Sequence, residues 1–308
     1  MLLSDHLHIR RSAFAKINLG LRIVARRPGG YHEIRTVYQA VALSDEVEIS
    51  LSPAGGGIEV IADDPAVPSG PLNLAYRAAQ LWKRAREFRG GIKVRLAKRI
   101  PAGSGLGGAS SDAAATILGL ERLTGDRLDL ASRVELAASL GSDVPFFLWG
   151  GRALGCGRGE EIYPLSDLPP RRCLIVFPRF SVSTAEAYRE ASRRLGLGAA
   201  LTGRPKGRTM VLFGERPHFS LQHWGPAEND FEQVVFARWP ELARLKRRLI
   251  RAGAEVASLT GSGSAVYAVF ASARKLSLAS KLVPARWQVF RTRTLSRAEY
   301  LEAVTRDE

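Results

Sequence analysis

An α+β fold in two lobes is predicted by three features of the chain. Strand-like and helix-like segments are mixed without the strict alternation that builds a parallel sheet. The pattern stops at Pro169-Pro170 and then restarts. At 308 residues the chain is long enough to bury two cores or one large two-lobed unit. The expected lobes are residues 1–168 and 169–308.

In the first lobe, apolar alternation over residues 11–24 and 34–51 predicts two strands. Glycines at 55–57 mark a turn, and residues 73–88 carry helical periodicity. Ile92, Val94 and Leu96 alternate with Lys93, Arg95 and Ala97, which predicts a half-exposed antiparallel strand over 92–100. Residues 111–140 read as two helices around a polar turn, the first Ala-rich and starting near Ser111. Residues 152–163 predict a short hairpin. In the second lobe the expected elements are a strand at 173–177, a helix at 184–195, helices near 229–236 and 239–252, strands at 256–260 and 265–270, a helix from 273 and a strand near 287–291. Residues 196–227 lack periodicity and are long for an internal connection, which predicts a surface excursion or a flap.

Apolar residues make up 45% and aromatics 8% of the chain, ordinary proportions for an enzyme. No apolar run approaches the ~20 residues that span a bilayer, and residues 1–11 contain no signal-peptide core, so a cytoplasmic protein without a membrane partner is expected. Cys156 and Cys173 lack metal-ligand spacing and read as reduced core residues. A net charge of +15 raises the possibility of a nucleic-acid binder. The basic residues, however, are scattered over helix faces (Lys83, Arg84, Arg86; Arg193, Arg194; Arg244, Lys246, Arg247, Arg248) rather than gathered with aromatics in one tract. No nucleic-acid partner is expected, and a field of this sign steers small polyanions such as nucleotides.

The run Pro101-Ala102-Gly103-Ser104-Gly105-Leu106-Gly107-Gly108-Ala109-Ser110-Ser111 carries four glycines within residues 101–108. It lies between a strand and a helix, so it opens onto a helix N-terminus, where N–H donors and a partial positive charge attract anions. Glycine lets the backbone approach a phosphate with no Cβ between them. No Lys-Ser or Lys-Thr pair follows the last glycine, which excludes a Walker A loop. Gly103, Gly105 and Gly108 satisfy G-x-G-x-x-G, but the strand before them is not a fully apolar parallel one and no acidic residue closes a second strand ~20 residues later. The protein-kinase signatures are missing. A phosphate loop of another type and a flexible glycine loop remain.

Other segments carry weaker signals. In Ala15-Lys16-Ile17-Asn18-Leu19 the period of a strand puts Lys16 and Asn18 on one face, which fits a solvent-facing surface as well as a site. Asp143 follows a Gly141 stop and precedes Val144-Pro145-Phe146-Phe147; it fits a turn cap, or a shielded carboxylate that needs a cation such as Lys16. Pro28-Gly29-Gly30-Tyr31-His32 presents an aromatic beside an imidazole. Leu259-Thr260-Gly261-Ser262-Gly263-Ser264-Ala265 is a second glycine turn, between two strands.

Taken in order, these segments resemble the GHMP kinases. Residues 101–115 are similar to their phosphate loop and 259–270 to their C-terminal glycine motif. The Ala15-Lys16-Ile17-Asn18-Leu19, Gly30-Tyr31-His32, Gly141-Ser142-Asp143-Val144-Pro145-Phe146-Phe147 and Asn229-Asp230-Phe231-Glu232 segments resemble the branch whose acceptor is an alcohol linked to cytidine diphosphate. The resemblance runs over nearly the whole chain. It implies a ribosomal-protein-S5-domain-2-like N-terminal lobe, a ferredoxin-like C-terminal lobe and a site between them. It implies ATP-dependent phosphorylation of the 2-hydroxyl of a cytidine-diphosphate-linked methylerythritol, a step toward isoprenoid precursors outside the mevalonate route. The implied roles are Asp143 as catalytic base with Lys16 as its partner, residues 101–111 on ATP, and Asn18, Gly261, Ser262 and Gly263 on substrate. Tyr31 and His32 are implied as one wall of a cytidine pocket and Thr184 and Tyr188, four residues apart on one helix face, as the second wall. Mg²⁺ is expected to arrive with ATP, held mainly by the phosphates with a hydroxyl contact from Ser110 or Ser111, and no protein metal ligand is assigned.

Overall fold

The computed structural model describes residues 8–52, 55–197 and 227–306. Strands β1 (His8–Arg26) and β2 (His32–Ser52) form an antiparallel pair through most of their length, with Lys16 opposite Ala40 and Asn18 opposite Tyr38. The other edge of β2 is shared. Its C-terminal half pairs with β4 (Gly91–Ala97) and its N-terminal half with β5 (Arg152–Cys156), which turns back into β6 (Glu161–Pro164). β4 is antiparallel to β2, as expected, and parallel to β3 (Ile58–Ala62), a strand the alternation did not reveal.

Two helices that follow β3 and β4 pack on this sheet, and a third packs on those two. α1 (Leu74–Ala85) is capped by Asn73, whose Oδ1 accepts from the Ala75 N–H at 2.8 Å. α2 (Gly108–Thr124) starts three residues before the expected point, and its small first turns let it lie close to the sheet. α3 (Leu130–Leu140) is capped by Asp129. Trp82, Ile49, Val94, Ile117 and Phe146 fill the core between these layers.

The second sheet has the order β10-β7-β9-β8 and is antiparallel throughout: β7 (Arg172–Phe177), β8 (Val256–Leu259), β9 (Val266–Phe270) and β10 (Gln288–Arg293). With α4 (Thr184–Arg194), α5 (Glu232–Arg238), α6 (Pro240–Arg251) and α7 (Ala273–Ser280) it forms the ferredoxin-like arrangement. One face of the sheet holds these helices around Leu174, Val176, Leu245 and Phe270. The other face packs Ile175, Tyr267 and Val269 against Ala15, Ile17 and Val41 of the first lobe and Leu106 of the glycine loop. β7 and β9 are buried on both faces and therefore read as unbroken apolar runs. Both cysteines are free and buried, and burial pushes the Cys173 thiol up. The excursion expected at 196–227 lies almost wholly outside the described residues. No helix among the described residues is long and apolar enough to cross a membrane.

The chain end departs from the expected division. Leu295 N–H bonds the Ala40 carbonyl at 2.9 Å, and α8 (Arg297–Thr305) puts Tyr300 and Val304 into the first lobe's core. The lobe expected to span 169–308 thus gives its last helix to the other lobe. Ser296 and Glu299 form a reciprocal capping box at its start. Tyr300 O–H donates to the Phe147 carbonyl at 2.7 Å, and its ring lies against Gly150, where an added Cβ would stand 2.0 Å from Cδ1. Gly150 also has φ +59°. Gly150→Ala is therefore expected to destabilise the fold by at least about 2 kcal/mol, through the clash and the left-handed backbone together. Urea denaturation checks this, and an unchanged midpoint would show that α8 seats elsewhere.

Candidate active site

A cleft of about 550 Å³ opens between the lobes, lined by the glycine loop, β1, Asp143, the β5–β6 turn, α4 and the second glycine turn. Gly103, Gly105 and Gly107 have positive φ, and Gly107 caps α2. The first helical bond runs from Ser111 N–H to Gly107 C=O at 2.9 Å, so the N–H groups of Gly108, Ala109 and Ser110 lie ahead of it in the first turn, where an anion can be bound. Pro101, Ala102, Gly103, Ser104, Gly105, Gly107, Gly108, Ala109 and Ser110 line the cleft. Two expected members of the loop do not. Leu106 is buried in the interlobe core, and Ser111 is buried on the far side beside Phe147 and Tyr300. The Ser104 hydroxyl is turned inward to the Pro101 carbonyl at 2.6 Å.

The loop is tied to both lobes. Leu106 C=O accepts from Lys16 N–H at 2.9 Å, and Ser104 C=O from Ala265 N–H at 3.1 Å. A Cβ on Gly105 would stand 2.2 Å from the Thr260 carbonyl oxygen. Gly105 is thus required by the close approach of the two glycine turns, whatever it also does for phosphate.

Lys16 and Asn18 share a face as the alternation predicts, but that face is buried rather than solvent-facing. Lys16 Nζ lies 3.3 Å from Asp143 Oδ2 and donates to Asn18 Oδ1 at 2.8 Å. Asn18 Oδ1 also accepts from Gly261 N–H at 2.8 Å, and its Nδ2 donates to Thr36 Oγ1 at 2.8 Å. Its amide is thus largely engaged by protein. Asp143 is 32% exposed and faces the cleft. Its Oδ1 accepts from Tyr38 O–H at 2.9 Å, a partner the sequence did not reveal. Burial first, and the Asp143 carboxylate after it, hold the Tyr38 phenol well above the usual tyrosine range.

A second ionic group at the loop's base was also missed. Lys98 bridges the carboxylates of Asp45 and Asp112, and Lys98 and Asp112 reach the cleft wall. Asp45 Oδ1 also accepts from Ile100 N–H at 2.8 Å, holding the chain where it enters the loop. Beyond this group the cleft ends in Ala66, Val67, Pro68, Leu72 and Leu74, an apolar wall.

On the opposite side the expected aromatic pair separates. Tyr31 is 56% exposed and outside the cleft lining, with its ring 5.0 Å from the Arg158 guanidinium, which does line the cleft. His32 opens β2 and points inward, because successive residues of an extended chain face opposite ways. It stacks on Tyr188 at 4.6 Å. Ser192 O–H donates to the Tyr188 carbonyl at 2.9 Å, which leaves its oxygen to accept from His32 Nε2 at 2.6 Å. Burial, with Arg26 second, lowers the imidazole's affinity for a second proton. His32 thus backs Tyr188 instead of facing the cleft. Tyr188, Thr184, Gly261 and Ser262 line it, and the Thr184 and Ser262 hydroxyls meet at 3.0 Å, while Gly263 lies outside. Asn229 donates to the carbonyls of Leu259 and Gly261 at 2.9 and 2.8 Å and so holds the second turn in place without lining the cleft, whereas Phe231 of the same motif does line it.

Comparison with known proteins agrees with this architecture. Residues 73–151 match the GHMP kinases N terminal domain and residues 220–287 the GHMP kinases C terminal domain. A protein of Solibacter usitatus named 4-diphosphocytidyl-2-C-methyl-D-erythritol kinase is 46% identical over 86% of this chain and 81% of its own length. One of the same name from Pelotomaculum thermopropionicum is 39% identical over 86% and 91%. A crystal structure of 4-(cytidine 5'-diphospho)-2C-methyl-D-erythritol kinase superposes with TM-score 0.72 at 34% identity, covering 93% of this chain and 99% of that one. Homoserine kinase from Cytophaga hutchinsonii shares the fold, with TM-score 0.70 at 18% identity over 96% and 97% of the two chains.

The Lys98 group gives stability a pH dependence. Burial dominates at Asp112 and raises its carboxyl to about 7, with Lys98 pulling the other way. An unfolded aspartate titrates near ~3.9, so between there and about pH 7 the folded chain holds a proton that the unfolded chain has released. The stability this proton contributes is fully present below about pH 4 and is lost progressively until pH reaches about 7. Asp112→Asn is expected to flatten the fall in stability between about pH 4 and 7. Urea titrations across that range test it, and an unchanged slope counts against Asp112 as the source.

Proposed function

The chain belongs to the 4-diphosphocytidyl-2-C-methyl-D-erythritol kinase family of GHMP kinases, and from that membership we propose that it transfers the γ-phosphoryl group of ATP to the 2-hydroxyl of 4-diphosphocytidyl-2-C-methyl-D-erythritol. The role falls in isoprenoid synthesis. The observation that carries the chemical reading is the Lys16–Asp143 pair, 3.3 Å apart in the same cleft as the N-terminus of α2.

Transfer to an alcohol asks the protein for charge stabilisation and in-line positioning. In this reading the N–H groups at the start of α2 hold the phosphates of ATP. The apolar wall of residues 66–74 suits a flat ring at the far end. Asp143 takes the acceptor's hydroxyl proton as oxygen attacks phosphorus, and Lys16 opposes the negative charge that develops on the transferred group. Tyr188 offers a ring face to the cytosine, with Tyr31 and Arg158 at the rim beside the acceptor.

Mg²⁺ accompanies ATP in this reading. Among the described residues no three His, Cys, Asp or Glu side chains gather as a metal cage. The carboxylates that line the cleft, Asp112 and Asp143, each already face a lysine. That donor set fits a hard cation carried mainly by phosphate oxygens, with Ser110 at the loop's cleft face supplying a protein oxygen. Bound there, the ion neutralises charge on the β- and γ-phosphates.

Asp143→Asn should lower kcat by at least about 10²-fold while both substrates still bind, and Lys16→Met should do comparable damage. Near-native kcat in single-turnover measurements on Asp143→Asn would remove the base assignment.

Tyr188→Ala and Tyr31→Ala should each weaken acceptor binding by about 1–3 kcal/mol, the range of base–aromatic stacking, and leave ATP binding intact. Calorimetry with each ligand separately reads this. Competition among the cytidine diphospho-alcohol, its uridine counterpart and methylerythritol phosphate tests the base, and equal turnover of all three would leave only a less specific kinase.

A further inference from the structure

Tyr38 shows nothing in the sequence beyond a strand position, yet its hydroxyl is aimed at the proposed base. It lies on β2 opposite Asn18 of β1 and Ala153 of β5, and is 1% exposed. Phe146 packs on the ring with centroids 4.9 Å apart. A Cβ at Gly155 would stand 2.4 Å from Cε2, and one at Gly159 would stand 2.4 Å from the hydroxyl oxygen, so both glycines leave room for this side chain. Lys16 Nζ is 5.6 Å from the ring centroid. The packed hydroxyl meets two acceptors, Asp143 Oδ1 at 2.9 Å and the Gly159 carbonyl at 3.4 Å. It has one proton, and the nearer, charged acceptor takes it.

We propose that Tyr38 is a positioning residue for the transfer: its O–H holds Asp143 Oδ1 and so turns Oδ2, beside Lys16, toward the acceptor hydroxyl. The inference rests on reading Asp143 as the base. A partly exposed carboxylate rotates readily about its last torsion, and only an oxygen within hydrogen-bond reach can take the acceptor's proton. Here the two oxygens are divided between a phenol anchored in the core and an ammonium on β1. The phenol stays protonated for the reasons given above, so it serves as a fixed donor and takes no proton itself.

Tyr38→Phe keeps the ring and removes only the donor. It should lower kcat about tenfold, the worth of one hydrogen bond to a charged group. KM for both substrates should stay within about twofold, and calorimetric ATP binding, which also reports an intact cleft, should be unchanged. In an Asp143→Asn background the same change should cost less than about twofold in single-turnover rate, because no base is left to orient. A silent Tyr38→Phe, or an equal loss in both backgrounds, would overturn the role of Tyr38 while leaving an impaired Asp143→Asn to support the base. Near-native turnover of Asp143→Asn would overturn the base assignment and the Tyr38 role with it.

Discussion

A lysine ammonium that is 3% exposed must be answered by oxygens around it, and the way Lys16 is answered organises the whole site. Asp143 supplies the countercharge and Asn18 Oδ1 a neutral acceptor. The same Asn18 oxygen takes the Gly261 N–H of the second lobe, while Nδ2 reaches Thr36, whose hydroxyl donates to Gly20 C=O. One buried charge therefore fixes the side chains of β1, the bulged stretch of β1 around Gly20, and the glycine turn across the cleft. The partners share acceptors and donors, so the group acts as a network rather than as a sum of pairs.

The apolar seam beneath the site acts in the same sense. Leu106 leaves the glycine loop and enters the seam beside Ile17, Tyr267 and Val269, and Tyr267 O–H donates to the Asn18 carbonyl at 2.8 Å. A phosphate loop is usually pictured as the rim of one domain. Here its backbone is clamped between two, so the turn that leads into α2 is fixed by both lobes at once. That preorganisation suits a reaction in which the protein's main task is to hold charges in place.

Much of this was legible in local pattern. Clean alternation marked β1, β2 and β4, four close-set glycines marked the loop, and a spacing of four put Thr184 and Tyr188 on one face. What escaped depended on tertiary pairing. Asp45, Lys98 and Asp112 come from a strand, a loop and a helix, and nothing in their own neighbourhoods announces a buried ionic group. Tyr38 carries no local signal beyond its place in a strand. The resemblance implies Tyr31 and His32 as one wall, although adjacency in an extended chain turns their side chains opposite ways. α8 is the instructive miss: its capping box, Ser296 to Glu299, was present in the sequence, but the segment follows a complete ferredoxin-like unit and had no evident core to join.

The destination of α8 bears on how the protein is made. The ribosome releases the first lobe's strands and helices early, yet Tyr300 and Val304, which complete that lobe's core, follow the whole second lobe in sequence. Until then the groove beside Phe14 and Phe147 stands open with apolar walls, and Gly150 has no ring against it. Synthesis from N- to C-terminus therefore cannot finish the lobes in the order in which they emerge. The first lobe's core stays incomplete until the second lobe has been synthesised, and through that interval its groove keeps apolar walls exposed.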